Sequence, residues 1–220
     1  MPFKHVYFYD DQIGNIRSVK NHLKEHVTCV HIPKKRAEKL TLDKYHTNTG
    51  EYINGIPLAD IQQIGFDTNI NCADSLFVFD WDYTITCVDG VSYPPLGIGN
   101  KEISFDDERA IVFWPNGLEG YLASIMGGPE RLAATREMID RLISNNNTVL
   151  ILTNNESASV YGSRGTRPLF IEMVKKLHPS LALISSYTNY PTLEVNEETG
   201  EFEYASTKGK VLSDYIANKI

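Results

Sequence analysis

Three short apolar runs constrain this chain most: Val6-Tyr7-Phe8-Tyr9, Leu76-Phe77-Val78-Phe79 and Val149-Leu150-Ile151-Leu152. Each reads as a strand, and each stops at a polar group. The first ends in Asp10-Asp11, the second in Asp80, and the third in Thr153-Asn154-Asn155. In parallel α/β sheets, ligands bind in the crevice beyond the carboxyl ends of the strands. Three termini of ligand type are therefore expected to converge there.

The segments between these runs supply crossover helices. Ile13, Ile16, Val19 and Leu23 give one apolar helical face after the first strand, with His22 and His26 sharing a solvated face. Val27 to Ile32 reads as a strand closed by Pro33. Leu132, Ile139, Leu142 and Ile143 make one side of a helix opened by Gly128-Pro129-Glu130. Leu169, Phe170, Met173, Val174 and Leu177 make another, before a strand from Leu181 to Ser185. Strands alternating with helices imply right-handed βαβ units in a central parallel sheet with helices on both faces. With 42% hydrophobic residues, 220 residues can build one substantial core, so a single domain is expected over residues 1–220. Its irregular parts are a connecting excursion at 33–74, carrying a short helix near Leu58 to Ile64, an insertion at 85–127, and a small hairpin at 187–205 turning at Glu198-Thr199-Gly200.

The chemistry sits at the strand ends. Strand side chains alternate with period two, so Asp80 and Asp82 are expected to converge while Trp81 turns away to pack. Converging carboxylates repel unless a cation joins them, and Mg²⁺ accepts carboxylate oxygens while keeping other positions for water or phosphate. A fourth polar element, Ser206-Thr207-Lys208-Gly209-Lys210, opens the last apolar-periodic segment. Either lysine could face the crevice.

Together these segments resemble the haloacid dehalogenase superfamily of phosphohydrolases, whose four motifs are met one by one. Asp80-Trp81-Asp82-Tyr83-Thr84 looks like the first motif, Thr153 matches the second, Lys208 the third, and Asp10-Asp11 the acidic pair of the fourth. The fourth motif stands first in the chain, as it would after a circular permutation; joining Ile220 to Met1 restores the usual order. The rival acidic pair Asp106-Asp107 follows a segment too polar for a central strand. The resemblance implies a Rossmann-like sheet with the Asp80 strand in its middle and flap and cap insertions at 85–127 and 187–205. It also implies a Mg²⁺-dependent phosphatase acting through an aspartyl phosphate. Asp80 would be the nucleophile and Asp82 the general acid and base. Mg²⁺ would be held by Asp80, the Asp82 carbonyl and Asp11, with Asp10 orienting its neighbour. Thr153, Lys208 and Asn154 would contact the phosphorylated substrate, a small molecule or a phosphoprotein. A fold-retaining binding module and a phosphotransferase to an acceptor other than water are the alternatives.

Three other features bound the reading. A net charge of −7 argues against a broad nucleic-acid surface, leaving Lys34-Lys35-Arg36 as a solvated cluster. Cys29, Cys72 and Cys87 are odd in number and lack paired metal spacing, which suits a reducing compartment. No apolar run is long enough to span a bilayer and no cationic leader precedes an apolar core, so a soluble, cytoplasmic protein is expected. Asn155, Arg164 and Arg167 stand near the third strand's end and Asn15 near the first strand's, as residues that could shape the site.

Overall fold

Alternation along the apolar strands sends their side chains into two separate layers. The computed structural model describes residues 2–33, 55–65, 73–87, 116–161, 167–188, 193–195 and 202–218. Lys34-Lys35-Arg36, Cys72, Asp106-Asp107, Arg164 and the Glu198-Thr199-Gly200 turn lie outside them. So does most of the 85–127 insertion.

Five strands form one sheet: β1 (Val6–Asp10), β2 (Val27–His31), β3 (Leu76–Phe79), β4 (Thr148–Thr153) and β5 (Ala182–Ser185). Their order is β2-β1-β3-β4-β5 and every pairing is parallel, which places the Asp80 strand in the middle. The chain is α/β, as expected. Tyr7, Tyr9, Phe77 and Phe79 point to one face, and the β1–β3 register stacks Tyr7 on Phe77 at 4.6 Å and Tyr9 on Phe79 at 4.8 Å. Such aromatic pairs stabilise by roughly 0.5–1.5 kcal/mol each beyond their burial. Val6, Phe8, Leu76 and Val78 point to the other face.

Helices cover both layers. On the second face lie α1 (Ile13–Leu23) and the last helix, which contribute Ile16, Val19 and Leu23, and Leu212 and Ile216. The first face is covered by α2 (Leu58–Gln63), α3 (Gly117–Ile125), α4 (Pro129–Ser144) and α5 (Arg167–Leu177). The last helix is α6 (Lys208–Ile216). Phe3 packs against the same layer, which also holds Leu212 and Ile216. Separate from the main sheet, β6 (Leu193–Val195) and β7 (Phe202–Tyr204) pair antiparallel, within the expected hairpin.

Three expectations are corrected. Ile13 does not join the buried face of α1: it is 48% exposed at the start of the helix, and Asn15 is buried instead. His22 and His26 do not share a helix, because Lys24 takes φ 51° and ends α1 before His26. Residues 117–125, which the sequence places inside an insertion, form α3, whose Tyr121, Leu122 and Ile125 belong to the main core.

Candidate functional site

The crossovers from β1 to β2 and from β3 to β4 run in opposite directions along the sheet, so the crevice opens between β1 and β3. Those two strands carry Asp10, Asp11 and Asp80 at their carboxyl ends. One oxygen from each of these buried carboxylates lies within 4.8 Å of the other two.

Asp10 is held on every side. Its Oδ1 accepts the Gln12 backbone N–H at 2.8 Å and Asn15 Nδ2 at 2.9 Å; its Oδ2 accepts Lys208 Nζ at 2.7 Å. Donors of this number and quality fix the orientation of the carboxylate. They also occupy both of its oxygens. Asp10 is thus firmly held in place beside Asp11 and Asp80, the other two members of the cluster. Asn15 is itself positioned by Ser206, whose hydroxyl donates to Asn15 Oδ1 at 2.7 Å.

Lys208 begins α6 and is 1% exposed. Its ammonium bridges Asp10 Oδ2 and Asp80 Oδ1, both at 2.7 Å. Lys210, which charge alone does not separate from Lys208 in the sequence, is exposed and pairs with Asp214 one turn on. Close packing of α6 on α1 delivers Lys208. Ser18 Oγ donates to the Ser206 carbonyl at 2.9 Å and accepts the Gly209 N–H at 3.2 Å. A Cβ at Gly209 would lie 2.3 Å from the Ser18 carbonyl oxygen. Glycine is required there for approach, not for an unusual φ.

Asp80 follows β3 with extended backbone and enters a wide turn, Trp81–Ile85, in which the Ile85 and Thr86 N–H groups reach back to the Asp80 and Trp81 carbonyls. Trp81 is buried and packs against Phe170, as expected. The turn carries Tyr83 at φ 54°, so this segment is not the extended strand end that the period-two argument assumed. The turn begins already at Trp81, and Asp82 lies outside the three-carboxylate cluster. Its side chain is held instead by Asn155 Nδ2, at 3.2 Å to Oδ2. Asn155 is locked in turn: its Oδ1 accepts the Ser157 N–H at 2.9 Å and its own N–H donates to Thr153 Oγ1 at 3.1 Å. Among the described residues the buried Thr153 hydroxyl accepts this bond and shows no bond donated in return. Asn154 is exposed beside it. Arg167 serves the same loop, donating to the Ala158 carbonyl at 3.1 Å.

Electrostatics set the state of the cluster. Burial pushes the Asp80 carboxyl well above the usual carboxylate range; Lys208 opposes this, while Asp10 and Asp82 add to it. Burial also works against the charge on Lys208, but Asp80 and Asp10 outweigh it and raise its pKa above that of an ordinary lysine. Two carboxylates thus share one ammonium, with Asp11 in the same cluster and Asp82 near enough to add to the negative charge at Asp80, and a proton on Asp80 would relieve the crowding. A divalent cation would relieve it in the same way and displace that proton. The donors available are hard oxygens, which fit Mg²⁺ and do not favour a soft metal. A buried Asp10-Asp11-Asp80 cluster of this kind could hold a metal ion.

Two contributors carry no sequence signal. His31, at the end of β2, donates from Nε2 to the Asp11 carbonyl at 3.1 Å; the register pairing Asp10 with His31 brings it there. Arg131, buried in α4, donates to the carbonyls of Ile56, Ile85 and Met126 at 2.7–3.0 Å and so ties down the chain after the wide turn. A histidine in a strand and an arginine in an amphipathic helix show these roles only once the chain is folded. The thiols stay outside the chemistry: burial pushes Cys29 up to about 11, and Cys87 is buried against the Met126 carbonyl. Among the described residues, no helix is long and apolar enough to cross a membrane. No protein-family model, curated protein or solved structure matches the chain.

Proposed function

We propose that this chain is a Mg²⁺-dependent phosphomonoesterase that works through an aspartyl phosphate on Asp80, in a haloacid dehalogenase-like domain whose fourth motif comes first. The observation that carries the reading is the Lys208 ammonium shared at 2.7 Å between Asp10 and Asp80, with Asp11 in the same cluster. A purely structural ion pair would need neither the third carboxylate nor the polar Thr153 and Asp82 gathered at the same sheet edge.

Phosphoryl transfer asks the protein for in-line positioning and for neutralisation of charge on the transferred group. Asp80 Oδ2 accepts no hydrogen bond from the described residues, whereas Oδ1 is fixed by Lys208; the nucleophile is thereby aimed without being capped. It attacks phosphorus and forms the acyl phosphate as the bond to the leaving oxygen breaks. Asp82, held by Asn155, gives its proton to that oxygen. Later it takes a proton from the water that attacks phosphorus, releasing inorganic phosphate and freeing Asp80. Lys208 and the Thr153 hydroxyl balance the phosphoryl oxygens. Mg²⁺, held by Asp11 and Asp80, would supply further charge neutralisation at the phosphate and keep Asp80 ionised.

Hydrolysis of a generic aryl phosphate, with and without Mg²⁺, tests the reading. Metal-dependent turnover is expected, falling at least about 10³-fold in Asp80→Asn. Full turnover in that variant overturns the mechanism, and absence of both Mg²⁺ binding and turnover leaves a binding module.

A further inference from the structure

The large apolar side chains left in solvent are not scattered evenly. Among the described residues they are Ile13, Val160, Tyr161 and Leu193, and only Leu193 lies on the separate hairpin. Ile13 follows Asp11 by two residues, as the first residue of α1. Val160 and Tyr161 lie in the loop after β4, beyond Thr153. Because β1 and β4 are the two neighbours of β3, the start of α1 and this loop follow strands on either side of the one that ends at Asp80.

The exposure at 160–161 belongs to an anchored loop. Ala158 is fully buried, Arg167 holds its carbonyl, and Ser159 Oγ accepts the Tyr161 N–H at 3.0 Å. A fixed backbone thus presents two large side chains at 68% and 67% exposure. At the base of the same crevice the reacting groups are sunk: Asp80 is 3% and Thr153 0% exposed. A phosphoryl group must therefore be delivered below the rim, by a carrier that crosses apolar surface to reach it. A flat aromatic ring does this well, since its faces contact apolar and aromatic side chains while its edge carries the ester oxygen. A short alkyl carrier would bring polar backbone against the rim.

We infer that the crevice takes an aryl phosphomonoester, its ring held between Ile13 and the Val160–Tyr161 pair. This substrate class rests on the phosphatase reading above.

The test compares kcat/KM for phosphotyrosine and phosphoserine, each free and within one short peptide, in the wild type and in the Val160→Ser/Tyr161→Ser double variant. Intrinsic leaving-group reactivity cancels when the two selectivity ratios are compared. The double variant is expected to lose about tenfold or more of its preference for the aryl ester. A preference for the peptide-borne ester assigns the ring to a protein side chain, and equal rates assign it to a small molecule; both support the inference. As a check that needs no variant, phenylphosphonate is expected to inhibit the wild type at least about tenfold more tightly than methylphosphonate. Equal inhibition, or turnover with an unchanged selectivity ratio, overturns this inference alone. A changed oligomeric state with an unchanged ratio assigns the rim to a self-contact and also overturns it. No turnover of either ester by the wild type removes the phosphatase reading together with the inference.

Discussion

Gly209→Ala sets two physical effects against each other, and the structure says which one wins. Alanine at a helical position is favoured over glycine by about 1 kcal/mol. The new Cβ, however, would stand 2.3 Å from the Ser18 carbonyl oxygen and 2.6 Å from its carbon, where side-chain carbons do not approach closer than 3.0 Å. At least 0.7 Å must open between α1 and α6. The obstacle is backbone, which cannot swing aside as a side-chain tip would. Overpacking of this kind costs typically 1–3 kcal/mol, and a backbone clash belongs at the upper end. A net loss of about 2 kcal/mol follows, or roughly 4–8 °C in Tm for a domain of this size. The same displacement stretches both 2.7 Å contacts of Lys208, and a misplacement near 1 Å can cost about 10²-fold in turnover. Urea denaturation and Mg²⁺-dependent hydrolysis, measured on one preparation, read both effects. A variant as stable and as active as the wild type would show that α6 is not seated against α1 as described.

Lys208→Met leaves Asp10 and Asp80 buried without their shared cation; a loss of about 3–5 kcal/mol at neutral pH is expected in urea denaturation, shrinking as the pH falls and Asp80 takes up a proton. Stability without metal should itself fall with rising pH. Because the folded pKa of Asp80 is raised, the native state holds more protons than the unfolded chain above the ordinary carboxyl value of about 3.9, and the slope is negative until Asp80 ionises. Mg²⁺ should flatten that slope, which denaturation at pH 4–8 with and without the ion will show. Raising Mg²⁺ to about 100 times its Kd should stabilise the wild type by about 2.7 kcal/mol, an effect that Asp11→Asn removes and thermal unfolding measures.

Much of the sheet could be read from the chain because its signals are local. Four-residue apolar runs ending at Asp10, Asp80 and Thr153 announce buried strands, and the helices between them follow from their spacing. The carboxylate cluster was legible for the same reason, as was the role of Trp81 in packing. What escaped depends on neighbours remote in sequence or on a single backbone angle. The wide turn that begins at Trp81 takes Asp82 off the strand line, and nothing in the residues Trp-Asp-Tyr-Thr announces that turn. Lys208 and Lys210 look alike until Asp214 claims one of them one turn later, while Ser18 and Gly209 let the other reach the crevice. The end of α1 was misjudged because Lys24 breaks a periodicity that otherwise continues to His26.

Covalent capture of the nucleophile tests the central claim most directly. A turnover mixture containing Mg²⁺ and an aryl phosphate is quenched in acid, reduced with borohydride and digested, and position 80 is read by mass spectrometry. Reduction of an aspartyl phosphate yields homoserine, and the expected result is homoserine at position 80 alone, absent when metal or substrate is left out. Homoserine at another aspartate, or none during active turnover, would contradict the account.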